Sequence, residues 1–315
     1  MKDLKTILVV SLCILWGQLL TAQVDSTYLD SMKEQVSNAE LVLTKVEEDF
    51  FLISSEAGGN ILVFVGNDGL SLVDTQWEVL GPAIKKILGS ISEQPVVRVI
   101  NTHYHFDHVD GNMVFRKNGV PVIAHHNTRM RMAADQVLTP PFLILQRAYS
   151  QEVLPNVTFE KSMNLYDSGE VIELIHFPKA HTDGDVVVHF QNSDLYHTGD
   201  IFVTYGLPYI DEENGGDIYV LMEVIEHLIS VSGPQTRFVP GHGPLCTKDD
   251  LLEYRDLLVS FRDQVTSCIR EGLDMDETIS RVKVDAGKEG IGMELSVQHM
   301  YRICLLYTSP SPRDH

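Results

Sequence analysis

The run Asn101-Thr102-His103-Tyr104-His105-Phe106-Asp107-His108 constrains this chain more than any other stretch. His103, His105, Asp107 and His108 can all bind a metal, and they crowd into one short segment. Ahead of them, Pro95-Val96-Val97-Arg98-Val99-Ile100 is an apolar, β-branched run that predicts a buried strand. Behind them, Val109-Asp110-Gly111-Asn112 leads into Met113–Lys117, which predicts a short helix closed by Asn118-Gly119. The imidazoles therefore leave the C-terminal end of a strand and enter a loop, where open α/β sheets place their ligands. His103, His105 and Asp107 alternate, and an extended backbone points alternate side chains the same way. His108 breaks the alternation. The segment can thus serve two adjacent centres, with His103 and His105 on one ion and Asp107 and His108 on the other. Neutral imidazole and carboxylate suit zinc and related ions; clustered without a partner they repel or need costly desolvation.

Three later segments place further ligands where strands run out: Ala180-His181-Thr182-Asp183-Gly184-Asp185, His197-Thr198-Gly199-Asp200 and Pro240-Gly241-His242-Gly243. Glycine beside two of them lets backbone and ligand approach closely. Short apolar runs predict strands at Leu41–Val46, Phe50–Ser54, Ile61–Val65, Leu70–Asp74 and Val120–Ala124, and again at Val171–Phe177, Asp185–Phe190, Asp194–His197 and Arg237–Pro240. Ala57-Gly58-Gly59-Asn60 and Asn67-Asp68-Gly69 separate the first of them. Helical spacing marks Gly81–Ile91, Ile218–Ile229 and Asp249–Arg270, the last with Thr247 as N-cap. Val24–Glu40 reads as a polar, helical lead-in, and Ala133–Leu154, with Pro140-Pro141, as a lid or helical insert. His125 and His126 read as surface or cap residues, and His176, His189 and His197 as packing within strands. Two β-rich passes interrupted by helices predict an α/β fold, two sheets faced by helices on their outer sides.

The termini call for separate treatment. Lys2 and Lys5 precede an apolar stretch from Ile7 to Leu20, and Ala22 offers a small residue for cleavage. Residues 1–22 thus read as a signal peptide, with a mature chain from Gln23 that is periplasmic or secreted and keeps no stable membrane anchor. Residues 304–314, Cys304 to Asp314, resemble the translation of a sequencing adapter and read as an artefact that packs against nothing. A hydrolase domain at 23–303 remains. Setting these ends aside leaves only Cys246 and Cys268, too few for a disulfide framework. The net charge of −20 argues against a phosphate-tracking nucleic-acid surface and leaves a small-molecule substrate as the expected partner.

From about Leu41 to Arg270, these motifs and their order resemble the metallo-β-lactamase superfamily. The resemblance implies an αβ/βα four-layer sandwich: two central mixed β-sheets flanked by helices, with metals at one sheet edge. It implies His103, His105 and His181 on one zinc, Asp107, His108 and His242 on a second, and Asp200 between them. Two zinc ions about 3.5–4 Å apart can share a water and acidify it toward neutral pH, with Asp107 orienting it. The pattern is nearest that of glyoxalase II and lactonases, which implies hydrolysis of an ester, thioester, lactone or amide. One β-lactamase subclass instead has cysteine where Asp200 stands and arginine where His108 stands. Oxygen-reducing di-iron relatives resemble H-x-E-x-D, unlike His105 here. Class B-like β-lactamase activity, mono-iron persulfide oxidation and a non-catalytic metal-binding module are the alternatives. Tyr205 and Tyr209, which trail Asp200, are candidates for substrate contact.

Overall fold

The computed structural model describes residues 28–138, 144–284 and 293–308. The signal-peptide expectation and the Pro140-Pro141 tip fall outside them. The first half forms β1 (Val42–Lys45), β2 (Phe50–Ser55), β3 (Gly58–Val65), β4 (Leu70–Val73), β5 (Val96–Ile100) and β6 (Val122–His125). A hairpin of β7 (Gln136–Leu138) and β8 (Ile144–Gln146) follows, and then β9 (Val157–Phe159). The second half supplies β10 (Ser162–Asp167), β11 (Glu170–His176), β12 (Val186–Phe190), β13 (Leu195–His197), β14 (Arg237–Val239) and β15 (Cys246–Thr247).

These strands make two mixed sheets. The first has the order β1-β2-β3-β4-β5-β6-β9, antiparallel as far as β4 and parallel beyond it. The second runs β10 to β15 in order, antiparallel except for the parallel β13–β14 pair. Alternation along each strand explains how they stack. Phe50, Leu52, Leu62 and Phe64 of the first sheet meet Leu174, Val188, Phe190 and Leu195 of the second in a shared core. The Phe50 ring lies 4.9 Å from Phe64 and 4.9 Å from Phe190, which ties the sheets at their centre. Outside the first sheet, Ile84 and Leu88 of the helix Gly81–Ile91 join Leu70, Leu72 and Val99. Outside the second, the helices Ile218–Val231 and Lys248–Arg270 bury Leu221, Ile225, Leu251 and Leu258. Thr247 and Asp250 form a reciprocal capping box that starts the longer helix. Four layers result, α/β/β/α, as expected.

Four local expectations need correction. Gly58, Gly59 and Asn60 do not separate strands; they belong to β3, because the rings of Trp77 and His108 lie where side chains at Gly58 and Gly59 would project. Among its described residues Ala133–Leu154 is not a helical insert, since Gln136–Leu138 and Ile144–Gln146 pair as strands, with Leu138 opposite Ile144. Asp107 does not continue an extended run from His103. The single helical turn Phe106–Val109 carries both Asp107 and His108. Finally, Cys304 itself packs in the core, while residues 309–314 lie outside the described residues. Val297, Met300 and Cys304 recur at helical spacing on the buried face of Met293–Thr308, and the Cys304 Sγ lies 3.1 Å from the Tyr219 hydroxyl. Cys246 and Cys268 are buried and free. Among the described residues, no helix is long and apolar enough to cross a membrane.

Candidate metal centre

The site forms where strands of both sheets end. β5 ends at Ile100 and delivers His103 and His105; the helical turn after them presents Asp107 and His108. The loop between β11 and β12 supplies His181, the turn after β13 supplies Asp200, and the loop after β14 supplies His242. The structure brings all seven together in two groups: His103, His105, His181 and Asp200 in one, Asp107, His108 and His242 in the other. Within each group the ligand atoms lie within 4.8 Å of one another. Asp200 faces both. Its Oδ2 is 3.7 Å from His181 Nε2, while its Oδ1 is 3.2 Å from His108 Nε2 and 3.6 Å from His242 Nε2.

The far side of each ring decides which nitrogen is left to bind. His181 Nδ1 donates to the Tyr209 carbonyl at 2.8 Å, leaving the Nε2 lone pair pointing inward. His105 Nε2 donates to the Asp211 carboxylate at 3.0 Å, leaving Nδ1. His108 Nδ1 lies 2.9 Å from Asp74 Oδ2 and His103 Nδ1 lies 3.0 Å from Thr102 Oγ1, so each presents Nε2. Metal-binding histidines are held in this way, and such outer partners set both tautomer and ring orientation. The consequence is electrostatic. His105 Nδ1 and His181 Nε2 meet at 2.9 Å with both protons engaged elsewhere, and the buried His103 Nε2 has no partner. Lone pairs converging in this way are stable only around a cation. These donors therefore fit a metal ion, and imidazole with carboxylate suits a divalent ion such as zinc or iron.

The protonation preferences point the same way. Burial pushes the His181 imidazole down to about 4, with His105 acting in the same direction. Burial and the neighbouring His108 hold His103 well below its usual value, so both rings stay neutral. Burial pushes Asp200 up, but His108 and His242 outweigh it and hold the carboxyl well below the usual range. Burial pulls His242 down, yet Asp200 and Asp107 lift it to about 9. The two carboxylates thus demand positive charge beside them, which a proton or a metal ion can supply.

Close packing leaves little tolerance here. A Cβ on Gly59 would fall 2.2 Å from His108 Cε1, and one on Gly241 would fall 1.9 Å from Asp200 Oδ1. Gly59→Ala is expected to displace His108 and to lower the metal content per chain, as read by elemental analysis after gel filtration. An unchanged metal count would show that His108 is not a ligand.

Sequence reasoning overlooked the supporting acids. Asp74 follows β4 and accepts from Thr102 N at 2.8 Å and from Thr102 Oγ1 at 2.7 Å, besides facing His108. Asp211 accepts from the Tyr104 hydroxyl, from His105 and from Asn214 Nδ2. Asp185 accepts from the backbone N–H groups of His181 and Thr182. Asp74 sits at a strand end as the ligands do, and that position was the available signal. Elsewhere the expectations for histidine stand. His125 caps the helix His126–Met132 and stacks on His176, and His189 stacks on Tyr196. Tyr205 and Tyr209 both border the cavity over the ligands, with ring centres 5.7 Å from His242 and 5.8 Å from His105 respectively.

Two stacked sheets with imidazoles and carboxylates gathered at their strand ends define a class, the sandwich-fold proteins that carry a metal-binding cluster at one sheet edge. A family model described as the metallo-beta-lactamase superfamily matches residues 55–277, and the chain belongs to that superfamily. A linear primary-alkylsulfatase of Pseudomonas sp. is 22% identical over 260 residues, 69% of this chain and 48% of the relative. The chain thus spans about half the length of that enzyme. A Methanocaldococcus jannaschii protein bearing the name of a probable metallo-hydrolase is 26% identical over 151 residues, 47% of this chain and 69% of its own. Among solved structures, a metallo-beta-lactamase from Pontibacter korlensis aligns with a TM-score of 0.56 and 22% identity, covering 70% of this chain and 99% of its own. An inverting sec-alkylsulfatase from Pseudomonas sp. aligns with a TM-score of 0.62 and 17% identity, covering 89% of this chain and 54% of its own. These structural likenesses concern the fold.

Proposed function

We propose that this chain is a di-zinc hydrolase that cleaves an ester, thioester, lactone or amide of a small molecule. One observation carries the reading: the two oxygens of Asp200 face two separate groups of inward-pointing ligands. In this assignment His103, His105 and His181 hold one ion, Asp107, His108 and His242 hold the other, and Asp200 contacts both. When bound, the ions supply a Lewis acid and a water acidified toward neutral pH, so no serine or cysteine nucleophile is needed.

The chain's own groups do the rest. Asp107 borders the cavity, and its Oδ2 lies 3.2 Å from His242 Nε2. Burial pushes Asp107 up, but His108 and His242 outweigh it and keep the carboxylate ionised, so Oδ2 stays a hydrogen-bond acceptor that can orient an attacking water. Burial, with Asp200 nearby, raises the Tyr205 phenol well above its usual value, which keeps a hydroxyl donor at the cavity wall. Tyr209 holds His181 through its carbonyl while its ring faces the cavity.

Elemental analysis, paired with a hydrolysis screen over lactams, lactones, thioesters, carboxylic esters, phosphoesters and sulfate esters, tests this reading. Two zinc ions and turnover of a carboxylic acid derivative are expected. One iron per chain with oxygen uptake on a persulfide would replace the hydrolase by a sulfur oxidase. Bound zinc without turnover of any class would leave a binding module.

We also propose export. Intact-mass analysis of the protein recovered from outside the cytoplasm of an expressing bacterium is expected to start at Gln23. Exported material that retains Met1 to Ala22 would end that proposal.

A further inference from the structure

The wall around the metal ligands carries information that the ligands do not. The cavity over them holds about 170 Å³ and is lined by Met32, Trp77, Phe106, Leu138, Tyr205 and Tyr209 beside His105, Asp107, Asp200 and His242. No Lys or Arg lines it among the described residues. Two of these apolar groups, Met32 and Leu138, come from a helix and a strand pair added to the two main sheets. Met32 belongs to the helix Tyr28–Val36, whose Leu29, Met32 and Val36 recur at helical spacing and pack on the core beside the first sheet. That helix is pinned to the metal loop, because Lys33 Nζ meets Asp110 Oδ1 at 2.9 Å while Asp110 Oδ2 accepts from Glu78 N. The charge of Lys33 is thereby committed away from the cavity.

Leu138 belongs to the β7–β8 hairpin, which is fastened with equal care. Gln146 accepts from Phe106 N at 3.1 Å and donates to the Tyr104 carbonyl at 2.9 Å, so it grips the backbone on both sides of His105. The position of Leu138 over the site is therefore tied to the ligand loop itself. Both walls stand in fixed register with the ligand loop and both are uncharged.

We propose that this wall selects substrates whose non-reacting portion is short, apolar and uncharged, and that Met32 and Leu138 set that preference. The proposal rests on the hydrolase reading for the identity of the reacting centre. A carboxylate remote from the scissile bond would have to shed its water against Met32, Trp77 and Leu138 with no cation to receive it, which is costly. The overall charge of −20 would add to the penalty. An alkyl or acyl chain instead gains about fourfold in binding for each methylene it buries.

Paired hydroxamic acids test the wall without requiring turnover, since the hydroxamate anchors on the metal and the tail reads the lining. Calorimetric titration of the zinc-loaded full chain is expected to show butanohydroxamic acid binding at least about tenfold more tightly than the monohydroxamic acid of succinate. Met32→Lys and Leu138→Lys are each expected to narrow or invert that ratio, with zinc content and melting temperature near the wild-type values. Met32→Ala, which adds no charge, should weaken only the butanoyl compound. Equal affinities in the wild type, or an unchanged ratio in both lysine variants, would overturn the proposal. The 4-nitrophenyl esters of the same two acids give the kinetic counterpart in kcat/KM. Hydroxamates that discriminate while neither ester is hydrolysed would uphold the wall and remove ester cleavage from the hydrolase reading. Esters that are both cleaved at equal kcat/KM would do the opposite.

Discussion

Asp200→Ala is expected to keep about one metal per chain and to lose roughly 10²-fold or more of the hydrolysis, the scale of removing a key electrostatic stabiliser. The geometry says which ion leaves. Without Asp200, the first group still has three inward imidazoles, His103, His105 and His181, enough for a zinc site with one open position. The second group loses the carboxylate oxygen that lies 3.2 Å from His108 and 3.6 Å from His242. His242 and Asp107 are also more open to solvent, at 22% and 18% side-chain exposure, so water competes better there. In the proposed two-ion assignment, a carboxylate that faces both groups would offset the repulsion between the ions. Asp200→Cys makes the sharper comparison: thiolate binds zinc well but fits a shared, oxygen-bridged pair poorly. It should keep the second zinc and lose much of the activity. Two metals with full activity in Asp200→Ala would show that another acid joins the groups.

Asp211→Ala is expected to weaken zinc binding by about 10- to 100-fold, although Asp211 touches no metal in this assignment. Its carboxylate receives the His105 Nε2 proton and thereby leaves His105 Nδ1 free to bind. It also accepts from Tyr104 and Asn214, so it anchors the loop after Asp200 to the loop after β5. In alanine the His105 ring can flip or take the other tautomer, and the three buried donors lose their acceptor. Each unsatisfied donor costs about 1–3 kcal/mol, so the melting temperature should fall as well. Asp211→Asn keeps the shape and one acceptor, and should recover most of the stability but only part of the affinity. Competition with a chromophoric chelator measures the affinity. Wild-type affinity in both variants would mean that His105 needs no outer partner.

Both predictions rest on residues of unequal legibility. His103, His105, Asp107 and His108 announce themselves, because four polar groups after a β-branched run have no other economical use. Their division between two groups also follows from local sequence, although by a different route than alternation suggests. An extended backbone carries His103 and His105, and the helical turn at Phe106 then swings Asp107 and His108 to the second group. Asp74 and Asp211 look like any loop acid. Their partners lie 34 and 106 residues away in sequence, so only the fold reveals them. The β7–β8 hairpin was misread because a short apolar run with prolines fits a lid, a helix or a strand equally well. The helix Tyr28–Val36 was foreseen as local structure but not as a wall of the cavity.

By itself the sequence determined most of the sheet-forming runs, the helices that cover them and the candidate ligands. Each is written in a local pattern: β-branched strands, 3.6-residue periodicity, and His or Asp where a strand stops. The tertiary structure alone decided what those ligands face. It set Asp74 and Asp211 behind His108 and His105, closed Gly59 against His108, and brought Met32 and Leu138 over the site. Such facts depend on contacts between segments distant in sequence. Close packing fixes those contacts to fractions of an ångström, and no local pattern encodes them.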